Sequence, residues 1–467
     1  MSQARVTVVA PYDRQPIGEI AIADAARVEQ ALTTAYALFR DRDAWLPMPK
    51  RIAVLEGAIA RMQARAEELA LEAAREGGKP LIDSRVEVAR AIDSLKLCIE
   101  TLRSEAGEVV PMGATASSAQ RLAFTQLEPI GVVVAVSAFN HPLNLIAHQV
   151  GPALATGCPV LVKPAKATPL SCQRLVDILR EAGLPEGWVQ LVLPENNELS
   201  TKMVSDPRVA FLSFIGSAAV GWKLRSLLAP GARCALEHGG VAPVIVAADA
   251  DMDAVLPSLA KGGFYHAGQV CVSVQRVYAD AAIAESLAQR LAAADRLKVG
   301  DPTLPETEVG PLISPAEVQR VDAWVRRAVA AGAQLLCGGK PLSETCYAPT
   351  VLLDPPEDAE VSTQEVFGPV VCVYRYRSLD EAIARANALP VAFQAAVYSR
   401  DLDTALRCYQ RLDASAVMVN DHTAFRVDWM PFAGLRQSGY GVGGIPHTMR
   451  ELQVRKMLVV KSKEIAR

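Results

Sequence analysis

The stretch from Gly131 to Phe214 limits the possible folds more than any other part of the chain. Residues 131–139 form a continuous apolar strand, Gly-Val-Val-Val-Ala-Val-Ser-Ala-Phe. The alternation expected of a half-exposed strand is missing, which is the pattern of a strand covered on both faces of a parallel sheet. A helix is predicted over 146–155, a strand over 159–163, a helix over 169–182 and a strand over 189–193. A helix over 198–204 and a strand over 210–214 follow, and Gly216 opens another helix. Strands alternating with helices through short connections build a doubly wound sheet with right-handed crossovers. This architecture suits nucleotides, but it does not by itself assign a reaction.

The flanks extend the α/β reading. Residues 1 to about 20 suggest short strands or an edge hairpin. Helices are predicted over 25–41, 49–76 and 81–105, with a break at Gly77-Gly78-Lys79-Pro80. After Glu237 a second α/β set begins, with strands at 243–246, 276–279, 334–336, 370–375 and 395–398. Its helices are predicted over 253–267, 281–297, 315–331 and 379–388, and the tail 452–461 reads as a terminal strand. At 467 residues and 51% hydrophobic content, the chain suits two or three packed units with a large core. Its 48 basic and 51 acidic residues give no bulk charge for nucleic acid or a membrane surface. The start, Met1-Ser2-Gln3-Ala4-Arg5, lacks the apolar core of a signal peptide, and no run is long enough to span a bilayer. A soluble cytoplasmic protein is expected. Nine scattered cysteines without a Cys-x-x-Cys pair indicate neither a disulfide framework nor a metal site. Eight of them read as small buried hydrophobes.

The ninth is Cys271. It follows Gly268-Gln269-Val270, and Glu237 lies 34 residues earlier in Leu236-Glu237-His238-Gly239-Gly240. A thiolate and a carboxylate base suffice to form a thioester and then hydrolyse it. Further upstream, Ser137-Ala138-Phe139-Asn140-His141-Pro142-Leu143 supplies a side-chain amide for an oxyanion. Taken singly, Cys271 is a structural cysteine and Glu237 a salt-bridged strand end. Together, in this order and at these separations, the three stretches resemble the aldehyde dehydrogenase superfamily, from about Ile17 to the C-terminus.

That resemblance implies an α/β, aldehyde-dehydrogenase-like fold. A Rossmann-type cofactor domain would cover 1–105 and 128–236, and an α/β catalytic domain 237–447. A small oligomerisation hairpin at 106–127 with 448–467 would reach a neighbouring subunit of a homodimer or homotetramer. In the implied reaction Cys271 attacks an aldehyde, Asn140 and the Cys271 backbone N–H hold the oxyanion, and Glu237 activates the hydrolytic water. Relatives that pass the acyl group to coenzyme A lack a glutamate at this position, so a free acid is the expected product. A coenzyme A-acylating semialdehyde dehydrogenase and a non-catalytic scaffold of the same fold are the rival readings.

The cofactor would be NADP or NAD, and no metal is implied. Phe214-Ile215-Gly216-Ser217-Ala218-Ala219-Val220-Gly221 matches the family's strand-Gly-Ser-helix turn, where Gly216, Ser217 and Gly221 meet the pyrophosphate. Ser137 and Phe139 line the same cleft. Glu365 and Phe367, in Glu365-Val366-Phe367-Gly368-Pro369, match the positions that hold the nicotinamide ribose and ring. Lys163 matches the lysine on the adenosine ribose. Lys166 departs from the family, because NAD-preferring members carry glutamate there. A cation in place of that carboxylate favours a 2′-phosphate by about 1 kcal/mol or more, which leans the preference to NADP.

The substrate positions depart as well. His141 and His148 stand where aromatic residues are frequent, and Arg426 lies six residues before Phe432, another such position. Three potential cations around one funnel suggest a short, polar, anionic aldehyde. The structural alternative is satisfied core histidines with Arg426 paired to Asp428. Arg90, on the helix before the first strand, is a further candidate for the substrate. His141-Pro142-Leu143-Asn144 is similar to the lactaldehyde and phosphonoacetaldehyde dehydrogenase branches.

Overall fold

The computed structural model describes residues 4–465. Val132–Val136 is central in a six-stranded sheet, in the order Gly439–Tyr440, Arg233–Glu237, Val209–Ile215, Val132–Val136, Val160–Lys163 and Val189–Leu191. Gly439–Tyr440 is antiparallel to its neighbour and the other strands are parallel. All five residues of Val132–Val136 are buried. Val133 and Ala135 join a core beneath the N-terminal helices, whereas Val132, Val134 and Val136 join the core on the opposite face. Coverage of both faces explains the absence of alternation in the sequence.

A second sheet of seven strands runs Gln334–Cys337, Thr350–Leu353, Val370–Tyr376, Arg276–Asp280, Pro243–Val246, Gln394–Tyr398 and Ala416–Val419. It is parallel apart from its antiparallel first pair. Residues 238–242 carry the chain from the carboxyl end of Arg233–Glu237 in the first sheet to the amino end of Pro243–Val246 in the second. The carboxyl edge of one sheet and the amino edge of the other are therefore joined at this crossing. A third sheet pairs Val109–Val110, Arg121–Pro129 and Gln453–Lys461 antiparallel. Its apolar residues Leu122, Met457, Leu458, Val459 and Val460 are exposed.

Among the helices that begin without a capping side chain of their own, two lean on glutamates from elsewhere. Asn144–Thr156 is preceded by Leu143 and Leu170–Glu181 by Pro169. Buried glutamates from the N-terminal helices fill both places. Glu87 accepts the backbone N–H groups of Leu143 at 2.9 Å and Asn144 at 3.0 Å. Glu76 accepts from the backbone N–H of Leu170, and from the N–H and hydroxyl of Ser171 at 3.0 and 2.7 Å. A carboxylate at a helix N-terminus satisfies orphan donors and complements the dipole. These two contacts tie the N-terminal helices to the cofactor-type sheet.

The structure differs from the sequence reading at several elements. The helix expected over 49–76 is two helices, Met48–Ala64 and Ala66–Gly77, hinged at Arg65 without glycine or proline. The helix expected over 281–297 is α-helical only over Ala284–Leu291 and ends in a tighter turn. Helix Leu402–Arg411 and strands Thr350–Leu353 and Ala416–Val419 are additional to the expected set. Among the described residues no helix is long and apolar enough to cross a membrane.

Candidate active site

The carboxyl edge of the first sheet carries Ser137 to Asn140 after Val132–Val136, Lys163 at the end of its strand, Gly216-Ser217 after Val209–Ile215, and Glu237. The amino edge of the second sheet contributes the turn before Arg276–Asp280, which holds Cys271, and the loop before Val370–Tyr376, which holds Glu365 and Phe367. Sequence-distant candidates therefore meet where the two edges are joined. Crevices at carboxyl strand ends are the usual ligand sites of such sheets.

The cysteine turn is strained and held. His266, Ala267 and Gly268 have φ of 50°, 53° and 69°, in the left-handed region. The two non-glycine residues cost about 1–3 kcal/mol each. A Cβ at Gly268 would lie 2.2 Å from the carbonyl oxygen of Gly368, so only glycine fits there. Gln269 offsets the strain: its amide donates to the carbonyls of His266 at 3.2 Å and Pro311 at 3.1 Å, and its Oε1 accepts the Ile313 N–H at 2.9 Å. Asn140, buried, donates Nδ2 to the carbonyl of Gln269 at 2.9 Å, two residues before Cys271. The expected oxyanion donor is thus fixed against the turn that presents the thiol.

Cys271 is half-buried. Burial pushes its thiol up to about 12, with Glu365 and Glu237 reinforcing that rise and Arg426 opposing it. Burial also raises Glu237, and Arg426 opposes that shift as well. Desolvation suits a carboxylate that must take a proton near neutrality. Glu365 is pushed up to about 8 by burial. Its carboxylate lies on Gly239, where a Cβ would come within 1.9 Å of Oε1. The Gly-Gly pair after Glu237 makes room for this approach.

The cofactor candidates fit a dinucleotide. The buried Ser137 hydroxyl and Glu365 Oε1 have no hydrogen-bond partner among the described residues. Ser217 precedes helix Ala218–Ser226 without capping it, so its hydroxyl and the helix N-terminus are left for an anion. Gly221 is buried beneath the His238 ring, and Phe139 meets Phe367 edge-on at 5.7 Å. Lys163 is lowered by burial and by the neighbouring charge of Lys166, so the two ammonium groups share one region. Lys166 is exposed and donates to the carbonyl of Glu195 at 3.3 Å.

The substrate candidates converge, but not as three cations. His148 donates from Nε2 to Asp428 at 2.8 Å, and Arg426 faces its Nδ1 at 3.4 Å. Burial lowers His148 to about 4, so its imidazole is neutral near pH 7. Burial and Lys79 hold His141 well below its usual range, so it too is neutral. Arg426 is the cation that remains of the three, since a guanidinium keeps its proton in proteins. It lies 3.6 Å above the buried Phe432 ring, and its Nε is buried without a partner among the described residues. Asp428 is bound by Arg90 through two hydrogen bonds, of 3.1 and 2.5 Å, rather than by Arg426. The Arg90 and His148 contacts hold its carboxyl well below the usual range against the effect of burial. Arg90 therefore enters the site as the partner of Asp428. Lys79, Glu87 and His266 also stand in this cluster, and no local motif marks them. Cys337 is half-buried rather than buried, and the other seven cysteines are buried as expected.

Comparisons with known proteins follow the same lines. The profile of the aldehyde dehydrogenase family matches residues 1–458. A 3-sulfolactaldehyde dehydrogenase of Priestia aryabhattai is 35% identical over 457 residues, covering 98% of this chain and 95% of its own. Aldehyde dehydrogenase 21 of Physcomitrella patens, solved with the reaction product succinate, superposes with a TM-score of 0.95 at 34% identity, covering 99% and 96% of the two chains. The glyceraldehyde-3-phosphate dehydrogenase GapN of Methanocaldococcus jannaschii, solved with NADP, superposes at 0.93 with 33% identity, covering 99% and 100%. With its doubly wound cofactor-type sheet and its convergent cysteine, asparagine and glutamate, the chain belongs to the aldehyde dehydrogenase family of NAD(P)-dependent oxidoreductases.

Proposed function

We propose that the chain oxidises a short, polar, anionic aldehyde to its carboxylic acid, with Cys271 as nucleophile and water as acyl acceptor. The observation that carries this reading is the Asn140 to Gln269 hydrogen bond, which sets an amide beside the turn that presents Cys271. Attack of the thiolate on the aldehyde carbon forms a C–S bond and a thiohemiacetal. The amide of Asn140 and the backbone N–H of Cys271 hold its oxyanion. NAD(P)+, when bound, would supply the acceptor for the hydride that leaves this carbon. Glu237 then takes a proton from water, which attacks the thioester, breaks the C–S bond and returns the thiol. Ser137, Phe139, Gly216, Ser217, Gly221, Glu365 and Phe367 hold the cofactor.

Arg426 supports an anionic substrate, and similar proteins named for 3-sulfolactaldehyde or solved with succinate support the same reading. Lys163 and Lys166 support a preference for NADP, with NAD also used. The exposed apolar residues of the third sheet support a homodimer or homotetramer formed through 106–127 and 448–467, beside a cofactor domain at 1–105 and 128–236 and a catalytic domain at 237–447. We place the protein in the cytoplasm.

The test follows NADPH and NADH formation without coenzyme A on neutral and anionic short aldehydes, with Cys271→Ala alongside. Turnover is expected to favour anionic aldehydes and NADP and to vanish in the variant. Preference for neutral aldehydes with NAD would overturn the substrate and cofactor assignments, and a requirement for coenzyme A would overturn the role of Glu237.

A further inference from the structure

Lys79 is a lysine sealed inside the protein, 1% exposed, and the reaction outlined above has no task for it. It sits on the loop between Ala66–Gly77 and Leu81–Ser104, whose backbone is pinned by the Ser84 hydroxyl on the Lys79 carbonyl at 3.1 Å. Its ammonium donates to Glu87, the carboxylate that caps Asn144–Thr156, and contacts His141 Nδ1 at 2.5 Å. Burying an ammonium is costly, and the Glu87 partner makes it tolerable. That partner does not explain the second contact.

The second contact has a chemical consequence. An ammonium carries donors and no acceptor, so the imidazole nitrogen facing it must offer its lone pair. The single proton of the neutral His141 ring then resides on Nε2. That nitrogen has no hydrogen bond to the described residues and is not among the sealed polar atoms, and the side chain keeps 14% of its surface open. His141 follows Asn140 directly, and its ring meets the buried His266 ring edge-on at 6.2 Å. Burial and the Lys79 charge keep a second proton off the ring.

We propose that Lys79 is a positioning residue that locks His141 as the Nε2–H tautomer, so that His141 donates a hydrogen bond to an acceptor oxygen carried by the aldehyde substrate next to its reacting carbonyl. The inference rests on the funnel beside Asn140 being the aldehyde site. It assigns the substrate class more narrowly: aldehydes with a hydroxyl, carboxylate or sulfonate oxygen near the carbonyl. A neutral donor reads oxygen and leaves the reading of charge to Arg426. With Nδ1 protonated instead, Nε2 would offer a lone pair, which repels a carboxylate or sulfonate oxygen and can only accept from a hydroxyl.

Two measurements test this on the full-length protein. The first is magic-angle-spinning NMR of protein labelled with 15N-histidine, with the His141 signals identified by their loss in His141→Gln. The expected signature is a protonated Nε2 and a bare Nδ1 in the parent, with the lock released in the Lys79→Met, Glu87→Gln double variant. That variant removes both buried charges together and avoids stranding Glu87. The second is the ratio of kcat/KM for lactaldehyde over propanal. The parent is expected to favour lactaldehyde by about tenfold or more, the worth of one hydrogen bond in a dry site. His141→Gln, whose amide nitrogen lies near the place of Nε2, should retain most of the ratio, whereas His141→Leu and the double variant should lose it. An Nδ1–H tautomer in the parent, or a ratio unchanged in both His141→Leu and the double variant, would overturn the proposal. Absence of aldehyde turnover in the parent would defeat the functional reading and leave the NMR result to decide the tautomer.

Discussion

Cys271 sits in a free protein that disfavours its reactive form. With its thiol pushed up to about 12, the thiolate is scarce at neutral pH. The rate of alkylation by iodoacetamide, followed on the Cys271 peptide in cofactor-free protein, should rise about tenfold per pH unit from 7 to 10 without a plateau. A plateau near pH 8 would show a thiolate stabilised before any ligand binds. The residues proposed to carry the covalent chemistry were legible because Cys271, Glu237 and Asn140 each sit in a short local signature. Their supports were not, because the contacts join distant positions: Asn140 to Gln269, Glu87 to Leu143, and Arg90 to Asp428 across 338 residues. The charge on His141 and His148 was misread for the same reason. Whether an imidazole takes a proton depends on burial and partners, and neither is written in the residues beside it.

Among the elements, helix Leu170–Glu181 shows how one borrowed cap supports a layer. Pro169 offers no side-chain acceptor, and Glu76 reaches from another helix to take three donors. Glu76→Ala leaves those donors buried and is expected to cost about 1–3 kcal/mol of stability, read as a lower midpoint in urea unfolding. A midpoint within error of the parent would mean that the helix finds another cap. Strands buried on both faces were legible from their apolar runs, and Pro243–Val246 has the bounds expected of it. The break at Arg65 was not, since no glycine or proline announces it. Ala416–Val419 escaped because it is a four-residue, half-exposed edge strand whose pattern resembles that of a loop.

Taken whole, the molecule buries its two main sheets and leaves the third with an apolar surface. Met457, Leu458, Val459 and Val460 are between 39% and 52% exposed, an uneconomical surface for an isolated chain. The Met457→Arg, Leu458→Arg double variant is therefore expected to sediment as a smaller species than the parent, with its circular dichroism retained. Equal sedimentation of both proteins would remove this sheet from the assembly surface.

The crossing at 238–242 also makes both proposed half-steps depend on one seam. Glu237 belongs to one sheet, while Cys271 is presented from the turn before a strand of the other. Under the proposed reaction, loading of the sulfur needs Asn140 and the cofactor site from the first sheet, and release of the acid needs Glu237 from that same sheet. A distant change in core packing that opens this seam would therefore slow loading and release together, since it also parts Asn140 from the Gln269 carbonyl. The fold would then fail evenly, with no rapid first turnover, rather than as an enzyme that loads once and waits.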